Sequence, residues 1–115
     1  MSTRRLIQDY LDDILESISD IRTFIANMSY EEFIRDKKTI NAVIRSLEVI
    51  GEAVKKIPQE VRQKHPDLPW KAIAGTRDKL IHEYFGIDLQ ILWKTIQSDL
   101  SPLEKAIMEL RLEFS

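Results

Sequence analysis

Residues 36–58 read DKKTINAVIRSLEVIGEAVKKIP, and their apolar side chains recur every three or four positions. This spacing places them on one face of an α-helix. Gly51 lies on the flank of that face, where the absence of a Cβ permits close approach, and Pro58 marks the end of the helix. The stretch therefore predicts a long amphipathic helix with this apolar stripe: Ile40, Val43, Ile44, Leu47, Ile50, Val54 and Ile57.

The N-terminal segment has the same character. Residues 3–27 carry an apolar residue every three or four positions, which predicts another long amphipathic helix. Between the two long segments, Ser29 and Glu32 have the spacing of a capping box, so a short helix should begin there with Ser29 as its N-cap. The first stripe consists of Leu6, Tyr10, Ile14, Ile18, Ile21 and Ile25.

After Pro58 the chain contains its one clear loop. Residues 59–64 are compatible with a short helix, whereas 65–69 contain two prolines that exclude a continuous helix. Proline is favoured at the first position of a helix, so Pro69 is expected as N1 of a third long helix. That helix should end at Gly86, as its C-terminal glycine.

A fourth amphipathic segment follows, with Asp88 as its predicted N-cap. Within it, Ser101, Pro102 and Glu104 combine a proline at N1 with a capping-box spacing, so the helix should kink or restart there. No alternating strand pattern or hairpin turn occurs. The chain is predicted to form a single all-α domain over residues 1–115, an up-and-down four-helix bundle with an additional short helix.

Composition narrows the function classes. The 115-residue chain has no cysteine, which removes thiolate nucleophiles and cysteine-ligated metals. No signal-peptide pattern and no run of 18 apolar residues occurs, so we expect a cytoplasmic protein without membrane contact. The net charge is −2, yet residues 55–82 hold seven basic and three acidic side chains, which is either a solvated surface or a locally basic site.

Arg77 interrupts an apolar stripe in the third long helix. The stripe's other members call for a core, and a guanidinium that loses its partner in a buried environment costs about 3 to 5 kcal/mol. Arg77 should therefore have a partner or a ligand. The stripe runs Trp70, Ile73, Ala74, Arg77, Leu80, Ile81 and Tyr84.

His82 is the better catalytic candidate of the two histidines, because an imidazole can transfer protons near neutral pH. A packed or surface histidine is the alternative, and Arg77 strengthens the catalytic interpretation, since guanidinium donors suit a phosphoryl transition state. Asp78, four residues before His82, is either its orienting partner or an ordinary helix ion pair. Arg77 and His82 lie about 140° apart around an ideal helix, so a long reach or a second copy of the helix must bring them together.

Other polar residues indicate no metal or cofactor site. Glu48 and Glu52 are one helical turn apart, but nearby basic residues make ordinary ion pairs the better interpretation. His65 has no second histidine at ligand spacing. Trp70 and Trp93 are expected as core anchors near helix starts. What remains is acid–base chemistry without metal or cofactor, or a binding function.

These residues carry a resemblance to a known family. The chain resembles the HepT-like toxins of the HEPN superfamily, whose mark in this group is Arg, four residues, His, any residue, Tyr, as in Arg77, His82 and Tyr84. The resemblance extends through residues 45–53, Pro69 with Trp70, residues 75–88, and Leu92 with Trp93. It covers most of residues 4–112.

The resemblance implies an all-helical homodimer that cleaves RNA without metal, with paired Arg77 and His82 at a composite interface site and Asp78 in support. It also implies the toxin role in a type VII HEPN/MNT toxin–antitoxin system. The partner would be a minimal nucleotidyltransferase (MNT) antitoxin that adenylylates Tyr84. A non-catalytic helical dimer that binds a nucleotide or the nucleotidyltransferase is the alternative, and a plain structural bundle is a third possibility.

Overall fold

The chain folds into helices throughout its described part. A computed structural model describes residues 3–82 and 88–115, with side chains described for residues 3–76 and 88–115. The described residues form α-helices and no strand, which confirms the predicted all-α class. The helices are α1 (Thr3–Phe24), α2 (Tyr30–Arg35), α3 (Lys37–Lys56), α4 (Gln59–Arg62), α5 (Trp70–His82), α6 (Leu89–Ser98) and α7 (Leu100–Glu113).

Helix α1 ends slightly before the predicted boundary at Asn27. The last helical residue is Phe24, and Asn27 adopts a positive φ of 61°. Asparagine tolerates this left-handed conformation better than most residues, and such a residue commonly terminates a helix. The backbone therefore leaves the helical path after Phe24, turns through Asn27 and continues into α2.

The two polar residues that flank α2 cap helices. The predicted capping box is confirmed, since Glu32 N–H donates to the Ser29 hydroxyl at 3.1 Å and Ser29 N–H donates to the Glu32 carboxylate at 2.9 Å. Asp36 then caps α3 by accepting a hydrogen bond from Thr39 N–H at 3.0 Å. The caps satisfy backbone donors that each helix start leaves free.

Helix α3 lies at the centre of the fold and packs against α1 on one side and α5 on the other. Its predicted stripe is buried or half-buried, and Gly51 on its flank is also buried. Ile57 has extended backbone angles, so the helix ends just before Pro58 as expected. The apolar side chains of α1, α3, α5, α6 and α7 form a shared core.

The start of α5 differs by one residue from the prediction. Pro69 was expected as the first helical residue, but α5 begins at Trp70. Trp70 N–H donates to Leu68 O at 2.9 Å in a tight turn, and Pro69 O accepts from Ile73 N–H at 3.0 Å. Pro69 therefore occupies the N-cap position, because its carbonyl oxygen accepts the first intrahelical hydrogen bond of α5.

The predicted break in the fourth segment occurs, but at a different place. Helix α6 ends at Ser98, and α7 begins at Leu100, so Pro102 lies within the first turn of α7, where a missing N–H costs no helical hydrogen bond. The expected capping box between Ser101 and Glu104 is not formed. Arg22 of α1 donates to Ser101 Oγ at 3.0 Å and pairs with Glu104 at 2.8 Å, so the two side chains contact α1 instead.

The described helices give no sign of a membrane span. Each one, residues 83–87 aside, is either too short or too polar to cross a bilayer.

Candidate active site on helix α5

Helix α5 is fixed to the fold at its N-terminal end. The Trp70 side chain is 9% exposed, and its Nε1–H donates to the carbonyl oxygen of His65 at 2.9 Å. Ala74, one turn later, is also buried, and α5 packs along α3. The first half of the predicted stripe is therefore confirmed as a core face, which sets the rotation of α5 about its axis.

The predicted site residues fall on the second half of this helix. Arg77, Asp78 and His82 belong to α5, but their side chains lie outside the described residues. Tyr84 lies outside the described residues altogether. By register, Arg77 follows Ala74 by three positions and Trp70 by seven, so its place continues the buried stripe, as the sequence predicts.

Because Arg77 and His82 share one continuous helix, the helical register fixes their separation. Five residues correspond to a rise of about 7.5 Å and a rotation of about 140°. Such an offset does not place both side chains on the same face. A site that uses both groups on one phosphate needs a second copy of α5 or a long reach by Arg77. The sequence alone predicts the same requirement.

Gly75 and Thr76 directly precede Arg77 on α5, and the described structure leaves open space beside Gly75. A Cβ atom added to Gly75 would meet no atom of the surrounding described structure within 4 Å. Thr76 is half-buried, and its hydroxyl donates to Ala72 O at 3.1 Å, one turn back in the same helix. The packing of the described residues therefore does not require a glycine at position 75.

The basic residues of the segment 55–82 have different surroundings. Lys64 pairs with Glu113 at 2.8 Å, and the Lys56 ammonium lies 5.6 Å from the centre of the Tyr10 ring. Lys71 is an exposed residue on α5 itself. At least part of the positive charge is thus engaged within the fold, which moderates the predicted basic surface.

The acidic and imidazole groups considered for metal binding have other contacts. Glu48 pairs with Arg45 at 3.5 Å, as expected for two residues one turn apart on a helix. His65 Nε2 lies 3.5 Å from a Glu109 carboxylate oxygen. Among residues 3–76 and 88–115, no group of three acidic or histidine side chains is arranged to hold a metal ion.

Trp93 of α6 packs against two aromatic residues of α2. Its ring centre lies 4.9 Å from that of Phe33 and 6.1 Å from that of Tyr30. Trp93 itself is half-buried, whereas Phe33 is fully buried. Both tryptophans thus pack on the core near the starts of their helices, as predicted.

The sequence did not predict a groove beside the start of α5. It lies between α3, the loop before α5 and the junction of α6 with α7, and Thr76 and Asp99 are among its lining residues. The lining residues come from separate segments of the chain, so no periodic pattern marks them. The only local signal was the break between α6 and α7, which the sequence placed two residues too late.

A family match covers most of the chain. The model of the family described as "Ribonuclease HepT-like" matches residues 14–110, which include every predicted site residue. The chain belongs to the HepT-like family. This agrees with the resemblance that the Arg77, His82 and Tyr84 pattern carries, and with the all-helical fold.

Curated relatives of this HepT-like chain agree with the family assignment. The "Probable ribonuclease HepT" of Thermococcus cleftensis is 48% identical over 108 residues, 94% of this chain and 98% of the relative. A protein of Methanocaldococcus jannaschii, named as a candidate RNase, is 52% identical over 102 residues, 89% of this chain and 84% of the relative. A further candidate RNase, from Caldanaerobacter subterraneus, is 48% identical over 101 residues, 88% and 90% of the two chains. No solved structure matches the chain significantly.

Proposed function

We propose that this HepT-like chain is a ribonuclease that cleaves RNA without a metal ion, with Arg77 and His82 as its catalytic residues. The observation that carries the proposal is the family match over residues 14–110, together with the position of both residues on the one helix that Trp70 anchors to the core. The relatives named as ribonucleases or candidate RNases support the same reaction class.

The reaction follows from the chemistry of these two side chains. His82 removes the proton of a ribose 2′-hydroxyl, and the 2′-oxygen attacks the adjacent phosphorus. The bond from phosphorus to the 5′-oxygen of the next nucleotide breaks, and that oxygen takes up a proton. Arg77 stabilises the negative charge that develops on the phosphoryl oxygens. The products are a 2′,3′-cyclic phosphate and a 5′-hydroxyl end.

The helical offset between Arg77 and His82 favours a homodimer as the active form. In a two-fold dimer, two copies of α5 face each other, and each site can combine Arg77 of one chain with His82 of the other. Asp78, one turn before His82, orients the imidazole in this arrangement.

Control of the activity completes the proposal. The chain acts in the cytoplasm as the toxin of a toxin–antitoxin pair, and a minimal nucleotidyltransferase is its antitoxin. The Tyr84 phenol loses its proton, its oxygen attacks the α-phosphorus of ATP, and pyrophosphate leaves. The adenylyl group on Tyr84 then blocks the composite site at the dimer interface. This part rests on the resemblance in the segment from Gly75 to Tyr84.

The test of catalysis compares the parent protein with His82→Ala and Arg77→Ala on single-stranded RNA in the presence of EDTA. The chain offers matched controls in His65→Ala, the other histidine, and Arg35→Ala, an exposed arginine on α2. We expect the rate of cleavage to fall by a factor of about 10² to 10⁴ in His82→Ala and also strongly in Arg77→Ala. Both control variants should cleave RNA at the parent's rate. Equal cleavage by the parent and both site variants would refute the assignment.

To test regulation by the antitoxin, the parent and the Tyr84→Phe protein are each co-expressed with a candidate nucleotidyltransferase. Growth, RNA integrity and the intact mass of the protein are measured together. We expect an adenylyl increment and restored growth with the parent, and neither with Tyr84→Phe. Tight association with the nucleotidyltransferase but no RNA cleavage and no growth arrest would instead identify a non-catalytic binding partner.

A further inference from the structure

The groove beside the start of α5 has the dimensions of a small-molecule site. Its volume is about 460 Å³, within the range of about 300 to 1,000 Å³ that is typical of ligand pockets. The floor is apolar and comes from α3, the loop before α5, and the first turn of α7. The floor residues are Leu47, Ile50, Leu68, Leu100 and Leu103.

The polar groups around this floor are acceptors and hydroxyls. Asp67, Thr76, Thr95 and Asp99 line the groove, and its described lining residues include no lysine, arginine or histidine. The two carboxylates among these residues favour an occupant that presents hydrogen-bond donors. A flat apolar ring with N–H groups on one edge has this chemistry.

The carboxylate of Asp99 is not committed to capping the helix that it precedes. Asp88, before α6, has extended backbone angles, and its side chain accepts from Gln90 N–H and Ile91 N–H. Asp99, before α7, has helical backbone angles of −95° and −16°, and its side chain makes no capping hydrogen bond. Both oxygens of the Asp99 carboxylate are therefore free of that role and can accept donors from a ligand in the groove.

The groove is continuous with the proposed catalytic helix. Thr76, on its wall, directly precedes Arg77 in α5. Proteins that recognise RNA by sequence usually bind single-stranded bases that are turned out of the stack and read along their hydrogen-bonding edges. A base in this groove would lie on a nucleotide close to the scissile phosphate.

We propose that the groove binds a guanine base of the RNA substrate, with Asp99 as the residue that selects it. Guanine presents two neighbouring donors, N1–H and the 2-amino group, which match the two oxygens of a carboxylate. Adenine and cytosine present an amino group beside an acceptor, which a carboxylate repels, and uracil presents one N–H between two carbonyl groups. This inference rests on the proposed ribonuclease function and adds a base preference to it.

The experiment measures cleavage of short single-stranded RNAs that differ only in the nucleotide next to the cleaved bond. We expect the parent to cleave beside guanine at least tenfold faster than beside the other bases, with inosine, which lacks the 2-amino group, in between. Asp99→Asn should reduce this preference about tenfold, and Asp20→Asn, an exposed carboxylate change on α1, should keep it. Equal cleavage beside all four bases, or an unchanged preference in Asp99→Asn, overturns the inference and leaves the ribonuclease assignment intact.

A binding measurement separates the two proposals if the parent cleaves no RNA. The probes are guanosine and adenosine monophosphates, added to the His82→Ala protein, with the methyl NMR signals of Leu68 and Thr95 as the readout. Shifts that are larger with the guanine nucleotide and weaker after Asp99→Asn support the base site even though cleavage has failed. Equal shifts with both nucleotides, no shifts, or shifts produced only by a basic peptide overturn it.

Discussion

The indole Nε1–H of Trp70 donates a 2.9 Å hydrogen bond to the carbonyl oxygen of His65, which ties the first residue of α5 to the loop that precedes it. The same loop contributes Leu68 and Pro69 to the lining of the groove. The Trp70 side chain therefore helps to fix the proposed catalytic helix in two ways, by packing in the core and by donating this hydrogen bond.

Replacing Trp70 tests whether its indole N–H anchors α5. Trp70→Phe removes this N–H, while the His65 carbonyl still accepts from Leu68 N–H at 3.2 Å. We therefore expect the free energy of unfolding to fall by about 0.5 to 1.5 kcal/mol, the net value of one hydrogen bond. Urea unfolding measures the loss, and Trp93→Phe, a change in the ring that packs on Phe33, is the comparison. RNA cleavage should fall more in the Trp70 variant, since α5 holds Arg77 and His82. Equal stability of the Trp70 variant and the parent would show that the bond does not anchor α5.

Gly75 tests whether the open space on α5 is used. A Cβ there meets no described atom within 4 Å, and alanine in a helix interior is more stable than glycine by about 0.5 to 1 kcal/mol. We expect Gly75→Ala to raise the free energy of unfolding of the monomer by this amount. If a second copy of the chain packs closely at Gly75, the dimer and cleavage weaken even as the monomer gains stability. A destabilised monomer would contradict the open space.

The capping box before α2 provides a stability prediction away from the site. Ser29→Ala removes the acceptor of Glu32 N–H, so the free energy of unfolding should fall by about 1 kcal/mol. Ser19→Ala, an exposed change within α1, should have little effect, because alanine favours the helix. A loss as large for Ser19→Ala would show that the hydroxyl's capping role is not the cause.

Two carboxylates at helix starts predict a pH dependence of stability. The Ser29 backbone N–H lowers the pKa of Glu32, and the Thr39 backbone N–H lowers the pKa of Asp36. Because the folded pKa lies below the unfolded one, this stabilisation is complete above the ordinary carboxyl pKa of about 4 and is lost as the pH falls through the lowered values.

We therefore expect the free energy of unfolding to decrease in that acidic range, and to decrease less in Asp36→Asn, which keeps a capping oxygen but cannot titrate. Thermal unfolding between neutral pH and about pH 3, in steps across the carboxyl range, measures the difference. An identical pH profile for the parent and the variant would contradict the role of Asp36.

Chelation tests the metal-free chemistry. The proposed reaction moves protons through His82 and stabilises charge through Arg77, so EDTA should leave the cleavage rate unchanged. The cleaved fragments should carry 2′,3′-cyclic phosphate ends, which mass spectrometry identifies. A rate that falls with EDTA and recovers on addition of a divalent cation would assign the chemistry to a metal.

Local signals in the sequence predicted most helix boundaries. Ser29 with Glu32, and Asp88 before α6, formed the expected caps, because each satisfies backbone donors within three residues. Apolar spacing likewise predicted the buried face of α3 and, in α1, the buried residues Ile14, Ile18 and Ile21. It was wrong at the start of α1, where Leu6 is exposed and Ile7 and Leu11 are buried instead. These features depend only on neighbours in the chain.

The features that the sequence did not predict depend mainly on distant residues. Pro69 differs from its prediction by one position only, since it is the N-cap of α5 rather than N1. The groove and the free carboxylate of Asp99 arise where segments far apart in sequence meet. The pairing of Arg77 with His82 stays a prediction for a similar reason, since a periodic pattern gives the offset along one helix but not the position of a second chain.

The contact of Arg22 with Ser101 and Glu104 makes the start of one helix depend on a residue 79 positions earlier in the chain. The two side chains that could form a capping box, Ser101 and Glu104, contact Arg22 instead. In relatives that lack a basic residue at the position of Arg22, we expect the capping box between the residues equivalent to Ser101 and Glu104 to form. Helix α7 should then begin about two residues later. A substitution at this surface position of α1 would then change the groove lining that includes Asp99, and with it the proposed base preference, while the proposed catalytic residues stay the same.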